Sequence, residues 1–284
     1  MSLVMSRLRT LEEAPSRLAV WARRIAVFSL AVAAISVIIE RADLLEIVPV
    51  LVTFGAALVL AILAILFAFA SFVTLWNNGG PGFAQAVSAV LISVGLLGYP
   101  GYLAYTAYRL PAIKDITTDP IDPPRFEVVA RLRPPNSSTY PGRATAELQK
   151  EAWPDIEPLL LTVSPKAAFD GAVAVITKRK WRVVDSRPPL SNREGHIEAI
   201  ARTPIMGFRD DVVVRIRATR EGTRIDIRSA SRYGTADFGA NATRVLALLD
   251  DIDDSSSSEK PERQERQNKA ALKASARPGQ GGKR

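Results

Sequence analysis

The run that decides the architecture is residues 47–108, IVPVLVTFGAALVLAILAILFAFASFVTLWNNGGPGFAQAVSAVLISVGLLGYPGYLAYTAY, which holds no Asp, Glu, Lys, Arg or His over 62 residues. A water-soluble domain does not continue that far without a charge, so a single soluble enzyme is excluded at the outset. The run divides at Asn77-Asn78-Gly79-Gly80-Pro81-Gly82, a turn by composition. Before the turn, Ile47–Trp76 is 30 residues, about 45 Å of helix and longer than an upright span requires. It is expected to start near Pro49, to tilt, and to end with Trp76 at the interface. After the turn a third span is expected from Phe83 to Tyr108, kinked at Pro100-Gly101.

Upstream, the apolar run Ile25–Ile39 is 15 residues, about 22 Å against a hydrocarbon core of ~30 Å. Leu18–Ala22 can extend it, with Arg23 and Arg24 snorkelling, or Ala42–Leu45 on the far side. Its length also suits a signal peptide, but 24 residues precede it and further spans follow, so it is taken as a span. Tyr99, Tyr102, Tyr105 and Tyr108 are expected to form an interfacial aromatic belt, with a stacking or sterol-contacting stripe as the alternative. Gly95, Gly98 and Gly101 are candidates for close helix packing. No span carries an ionisable group at its centre, which disfavours ion-coupled transport.

The flanks set the expected orientation. Residues 1–24 carry five Arg and two Glu, whereas Glu40–Glu46 is net acidic. The positive-inside rule then puts the N-terminus in the cytoplasm. After three spans the rest of the chain would face outward, into the periplasm of a Gram-negative cell. The expected organisation is a basic flank (1–24), a three-span block (25–108), a soluble domain (109–254) and a disordered basic tail (255–284). The formal charge is +8 overall, yet residues 109–254 carry 23 bases and 21 acids. The basicity lies in the flanks, so no nucleic-acid partner is expected. There is no Cys and one His, His196. Thiolate metal sites, disulfides and cysteine nucleophiles are excluded, and no metal or cofactor is expected.

The soluble domain is expected to be α+β, an antiparallel β-meander packed against two helices. Residues 109–157 are Pro-rich and loop-like, with one extended piece at Phe126–Leu132. A strand is expected at Leu159–Val163. Ser164-Pro165 reads as an N-cap with proline at the first helical position of a helix reaching Lys178. Strands follow at Trp181–Ser186, Gly195–Thr203, Val212–Thr219 and Arg224–Ser231, with Arg220-Glu221-Gly222 as a hairpin turn. A last helix covers Asp237–Ile252. Ile197, Ala199 and Ala201, then Val212, Val214 and Ile216, then Ile225 and Ile227 alternate with Glu198, Arg202, Arg215, Arg217, Arg224, Asp226 and Arg228. One face should therefore meet the helices, and the other should be a solvated face laced with ion pairs. An anion-binding surface is the sharper alternative.

Polar chemistry concentrates in Arg228-Ser229-Ala230-Ser231-Arg232-Tyr233-Gly234-Thr235-Ala236-Asp237-Phe238-Gly239-Ala240-Asn241. Here a strand end, a glycine loop and a helix start would bring guanidiniums, hydroxyls and free N–H groups together. That set suits a phosphate or carboxylate through Arg228, Ser229, Ser231, Arg232, Gly234, Asp237, Gly239 and Asn241. The plainer alternative is that Asp237 or Asn241 caps the helix while the glycines permit turns. A second candidate is the acidic pair Asp210 and Asp211. Neighbouring strand residues point to opposite faces, so the two would not converge, and an ion pair from one of them to an Arg of the first cluster is expected. His196 and Glu198 could be a base–orienter pair, although a strand-end His is expected to be simply exposed. No catalytic residue is assigned.

Three stretches carry a resemblance. They are Asp115-Ile116-Thr117-Thr118-Asp119 with Asp122-Pro123-Pro124-Arg125-Phe126; Ile197-Glu198-Ala199 with Gly207-Phe208-Arg209-Asp210-Asp211-Val212; and Arg228-Ser229-Ala230-Ser231-Arg232 with Asp237, Gly239 and Asn241. Together they resemble the domain of unknown function 1499 family (DUF1499) over about residues 110–252, and the helical block resembles the N-terminal extension of its bacterial members. The resemblance implies a domain and brings no reaction. Members often have a Cys near the domain start and a Ser before the Asp237 position. Here there is no Cys, and Ala236 precedes Asp237.

Three function classes remain open. One is an inner-membrane protein displaying an envelope domain that binds a partner, an envelope protein or an anionic lipid, without catalysis. The second is a hydrolase or transferase on lipid or cell-wall substrates using Asp210, Asp211 or His196. The third is a structural or assembly factor. Membrane lipid is a partner in every case.

Overall fold

The computed structural model describes residues 15–133, 135 and 137–256; most of the basic flank and the tail lie outside the described residues. The chain divides into two units, one built on three N-terminal helices and the other on the residues that follow.

The helices are α1 (Arg17–Arg41), α2 (Ile47–Asn78) and α3 (Phe83–Arg109). All three are long and apolar enough to cross a membrane. The 15-residue run at Ile25 is thus extended at its N-terminal end by Arg17–Arg24, about two turns that include Arg23 and Arg24. At 32 residues α2 is the longest, about 48 Å, so it exceeds the hydrocarbon thickness as expected. Large apolar side chains such as Phe28, Val52 and Leu91 point outward, the arrangement a lipid solvent favours. The inward positions are small. In α1 they are Ala19, Ala22, Ala26, Ser29, Ala33 and Ser36, spaced alternately three and four apart. In α2 they include Ala57, Ala61, Ala64, Ala68 and Ser71, and in α3 Ala86, Ala89 and Ser93. Small residues let helix backbones approach closely where lipid removes the hydrophobic drive. The seam therefore runs through alanine and serine. Gly95, Gly98 and Gly101 have no neighbour within 4 Å of a built Cβ, so they do not make the helix contact suggested for them. α3 runs on through Pro100.

The second unit is α+β. Its strands are β1 (Asp115–Thr117), β2 (Leu159–Leu161), β3 (Arg182–Arg187), β4 (Gly195–Arg202), β5 (Arg209–Thr219) and β6 (Gly222–Ser231). β3 to β6 form the anticipated antiparallel meander, and β1 and β2 pair successively with the outer side of β6, giving the order β1-β6-β5-β4-β3. The hairpin between β5 and β6 turns at Arg220-Glu221, with Thr219 opposite Gly222. Gly222 has φ +143°, and a Cβ there would lie 2.1 Å from the Leu161 carbonyl oxygen, so β2 can approach only because the side chain is missing.

Helices α5 (Pro165–Lys178) and α6 (240–256) cover one face. The Ser164 hydroxyl accepts the Ala167 N–H at 3.3 Å, which makes it the N-cap, with Pro165 following. Phe169, Ala172 and Ile176 of α5 join Val245, Leu248 and Ile252 of α6 and the inward side chains of β4, β5 and β6 in the core.

Two expectations for residues 109–157 need correction. The Pro-rich stretch contains a helix, α4 (Arg143–Ala152). Its Gln149 amide donates to the Thr117 carbonyl at 2.7 Å and accepts the Thr117 N–H at 3.0 Å, so it closes the outer edge of β1. Phe126–Leu132 is not extended, since Val129–Leu132 forms a 3-10 helix. The cause is a distant carboxylate: Glu198 on β4 accepts the backbone N–H groups of Glu127, Val128 and Val129. Those are the orphan donors of a helix start, and a carboxylate is their best acceptor.

The larger correction concerns the charged face, most of which is not solvated: Glu198, Arg215, Asp226 and Arg228 are buried and Arg217 and Arg224 half-buried, and Arg202 at the strand end is exposed. Residues 118–133 and 137–140 lie across it, and Phe126 and Val129 form a second small core there with Ile200, Val213 and Ala230. The sheet is covered on both sides, by helices on one and by this irregular segment on the other.

Candidate functional site

Strand alternation divides the predicted polar cluster between the two faces. On the helix side, Ser229 donates to Asn241 Oδ1 at 2.7 Å, and Asn241 Nδ2 donates to Ser231 Oγ at 2.9 Å and to the Lys114 carbonyl at 3.0 Å. Asp237 accepts the N–H of Gly239 at 3.0 Å and of Asn241 at 2.7 Å, so it does cap the entry to α6. Arg244, one turn into α6, donates to Ser229 Oγ and Asn241 Oδ1 and ion-pairs with Asp210. Burial above all, and then the negative charge of Asp210, push the Asp237 carboxyl above its usual value against the pull of its two N–H donors.

On the opposite face, Arg228 grips Asp115 through Nε at 2.9 Å and Nη2 at 2.7 Å. Its remaining donors go to the carbonyls of Pro124 and Ser138. The guanidinium stacks over Phe126, 4.5 Å from the ring centre, and beside Tyr140 at 5.6 Å. Burial and the Asp115 charge push the Tyr140 hydroxyl up to about 12 although Arg228 pulls it down. Arg232 and Arg133 both bind Asp211, each at 2.7 Å. The anticipated pair between the acidic motif and the arginine cluster is therefore Asp211 with Arg232, and Asp210 and Asp211 face apart as the strand geometry requires.

Further along the same face, Arg215, Arg217 and Arg224 share Asp119, Asp122 and Asp226. Burial pushes the Asp119 carboxyl up, but the Asp122 N–H and the three guanidiniums outweigh it and hold it below its usual value. His196 is 7% exposed, not free in solvent, and its Nε2 lies 2.9 Å from Glu198. Burial opposes ionisation of Glu198. The His196 bond and the N–H donors of Val129 and Glu127 prevail, so its carboxyl is held below the usual range. With all these bonds made, the Glu198 carboxylate anchors the 3-10 helix.

The motifs that stood apart in sequence thus meet one another. The opening stretch supplies Asp115, Asp119, Asp122 and Phe126, the middle one Asp211 and Glu198, and the last one Arg228 and Arg232. Sequence reasoning missed Arg133 and Arg244. Arg244 was detectable as the residue one turn beyond Asn241 on the polar side of α6; Arg133 sits in irregular chain with no local signal. The cluster leaves two large side chains outward on the 232–239 loop. Tyr233 is 42% and Phe238 41% exposed. Phe238 has φ +55° and is followed by Gly239 at +82°. A phenylalanine in the left-handed region is an outlier for its residue type.

Residues 115–252 match the family model described as protein of unknown function (DUF1499). No curated protein and no solved structure matches the chain.

Proposed function

We propose that the DUF1499 domain is a binding module, displayed from the cytoplasmic membrane on its external face by the three helices, and that its recognition element is the 232–239 loop. The observation that carries this reading is Phe238, an exposed aromatic kept at a backbone conformation that glycine would adopt without cost. Such outliers persist where the surroundings over-determine them, and they concentrate at functional sites. The surroundings here are specific. Asp237 donates its N–H to the Ile113 carbonyl at 3.1 Å and caps α6, and Leu110 packs on Gly239, where a Cβ would come within 2.9 Å of it. The loop is therefore held rigidly and presents Tyr233 and Phe238 outward.

Of the two ligand classes, an envelope protein with an apolar pocket fits better than a small anion. Arg228 and Arg232 already bind Asp115 and Asp211 inside the fold, and an anion that took them would leave Asp115 buried and unpaired and Asp211 with Arg133 alone. Two aromatics at a rigid loop are the anchor type that protein interfaces favour. The external location is supported by the Arg-rich N-terminal flank and the acidic Glu40–Glu46 loop.

A photo-crosslinking residue placed at Tyr233 or Phe238 of the full chain, in cells, should capture one envelope protein. The same residue at Leu160, exposed on β2, should not. Capture at all three positions, or at none, defeats the reading. Phe238→Gly should keep the fold and abolish the capture at Tyr233. A reporter active only outside the cytoplasm, fused to the C-terminus, should be active; an inactive one refutes the external placement.

A further inference from the structure

The helical unit carries a feature that the loop proposal does not use. Val20, Arg23, Arg24, Val27, Phe28 and Ala31 of α1, with Gln85 of α3, line an open groove of about 560 Å³. The α1 residues follow helical spacing, so they form one continuous stripe along the helix. The stripe changes character along its length. Arg23 and Arg24 stand near one end, preceded in the stripe by Val20 and directly before the apolar run that begins at Ile25, and Val27, Phe28 and Ala31 continue it with no polar group.

The basic end is open to a ligand. Both guanidiniums are exposed, and neither has an acidic partner among the described residues. Arg24 lies over the Trp21 ring, 5.7 Å from its centre, and a Trp beside arginines is the pairing that membrane–water interfaces favour. Gln85, in the first turn of α3, faces the same end, and no hydrogen bond engages its side-chain amide among the described residues. Two cations and an amide line the groove where the headgroup layer would lie, beside its apolar stretch, and the groove as a whole is sized like ordinary small-molecule sites.

We infer that this groove is a binding site for an anionic glycerophospholipid, its phosphate held by Arg23 and Arg24, its ester region by Gln85 and one acyl chain along Val27, Phe28 and Ala31. Charge selects the lipid class: a zwitterionic lipid brings its own cation to the guanidiniums, whereas an anionic one brings only the phosphate. The inference rests on the helices being embedded in a bilayer, and it is independent of the role proposed for the 232–239 loop.

The test uses the full chain in mild detergent, with native mass spectrometry after titration with phosphatidylglycerol and phosphatidylcholine of identical acyl chains. Wild-type protein should retain phosphatidylglycerol at least about tenfold better than phosphatidylcholine. Arg23→Gln with Arg24→Gln should bring the ratio near one, while Arg109→Gln, at the end of α3, should leave it unchanged. Ala31→Trp, which fills the groove and keeps both charges, should weaken phosphatidylglycerol retention severalfold. Millimolar inorganic phosphate should not displace the lipid, because it gains nothing from the apolar channel. Helical circular dichroism confirms that each variant is folded, and Ala31→Trp tests the site even if the double variant is not. An unchanged ratio in the folded double variant overturns the inference. So does full retention in Ala31→Trp, or displacement by phosphate.

Discussion

Asp115, six residues beyond the end of the last apolar helix, and Arg228, near the end of the last strand, meet in a two-point ion pair that buries both side chains. The pair closes a loop of 113 residues and joins the first strand of the sheet to the last, while Arg228 also holds the covering segment through the carbonyls of Pro124 and Ser138. Arg228 is 2% exposed, and every direction around it is filled by Asp115, two carbonyls and two aromatic rings. A charge in that position is tolerated only because its partners are complete.

Removing one member should therefore be severe. Arg228→Ala leaves Asp115 buried and unpaired, and is expected to cost about 3–5 kcal/mol. Thermal unfolding of the full chain in detergent, followed by near-ultraviolet circular dichroism, should show the loss. Arg228→Met with Asp115→Leu should recover part of it, since an apolar pair leaves no orphan charge. An Arg228→Ala protein as stable as wild type contradicts the clamp.

Acid should release the covering segment through Glu198. Its carboxyl is held below the ordinary value of 4.5, so the folded form binds a proton less readily than the unfolded one. The stabilisation is complete above that value and disappears as pH falls through the lower, folded one. Hydrogen exchange at the amides of Glu127, Val128 and Val129 should accelerate in that window, and Glu198→Gln should show reduced protection already at neutral pH. Exchange rates indifferent to both changes would mean that something else holds the 3-10 helix.

Asp237 should behave in the opposite sense. Its carboxyl is raised above 3.8 by burial and by Asp210. The unfolded chain then loses its proton first, and stability declines as pH rises from the ordinary value to the folded one. Asp237→Asn abolishes that titration. The melting temperature of wild type relative to the variant should fall as pH is raised above about 4; a difference constant with pH would show that Asp237 does not titrate this way.

Gly222→Ala is expected to destabilise the chain by about 2 kcal/mol or more, because φ of +143° and the Leu161 carbonyl both exclude a Cβ. Gly142→Ala provides the comparison. It too has positive φ, but nothing lies within 4 Å of its Cβ, so it should cost less in the same melting experiment. Equal losses would remove the steric part of the argument.

Much of the fold was legible from residue order. Ile197, Ala199 and Ala201 alternate as an inward strand must, Ser164-Pro165 starts a helix, and Arg220-Glu221-Gly222 turns a hairpin. α4 was missed because Arg143–Ala152 is short and mostly polar, and what holds it in place is a side-chain amide docked on a strand edge 32 residues away. The candidate site was legible as a list of residues and not as a place. Ser229, Ser231, Asp237 and Asn241 do converge, while Arg228 and Arg232 lie on the other side of the sheet.

What the sequence determined by itself was everything set by local periodicity and by solvent: three helices too apolar for water, an antiparallel meander, and one face that must meet helices. Those follow from repeats of 3.6 and 2 residues, visible in any short window. The fate of the charges was decided only by the tertiary structure. A row of Arg, Asp and Glu on a strand looks the same whether it faces water or a covering segment. The difference lies in whether partners such as Asp115, Asp119 and Arg133 arrive from 71 to 113 residues away. Burial of an ion pair depends on that complete set of partners, and no local pattern encodes it.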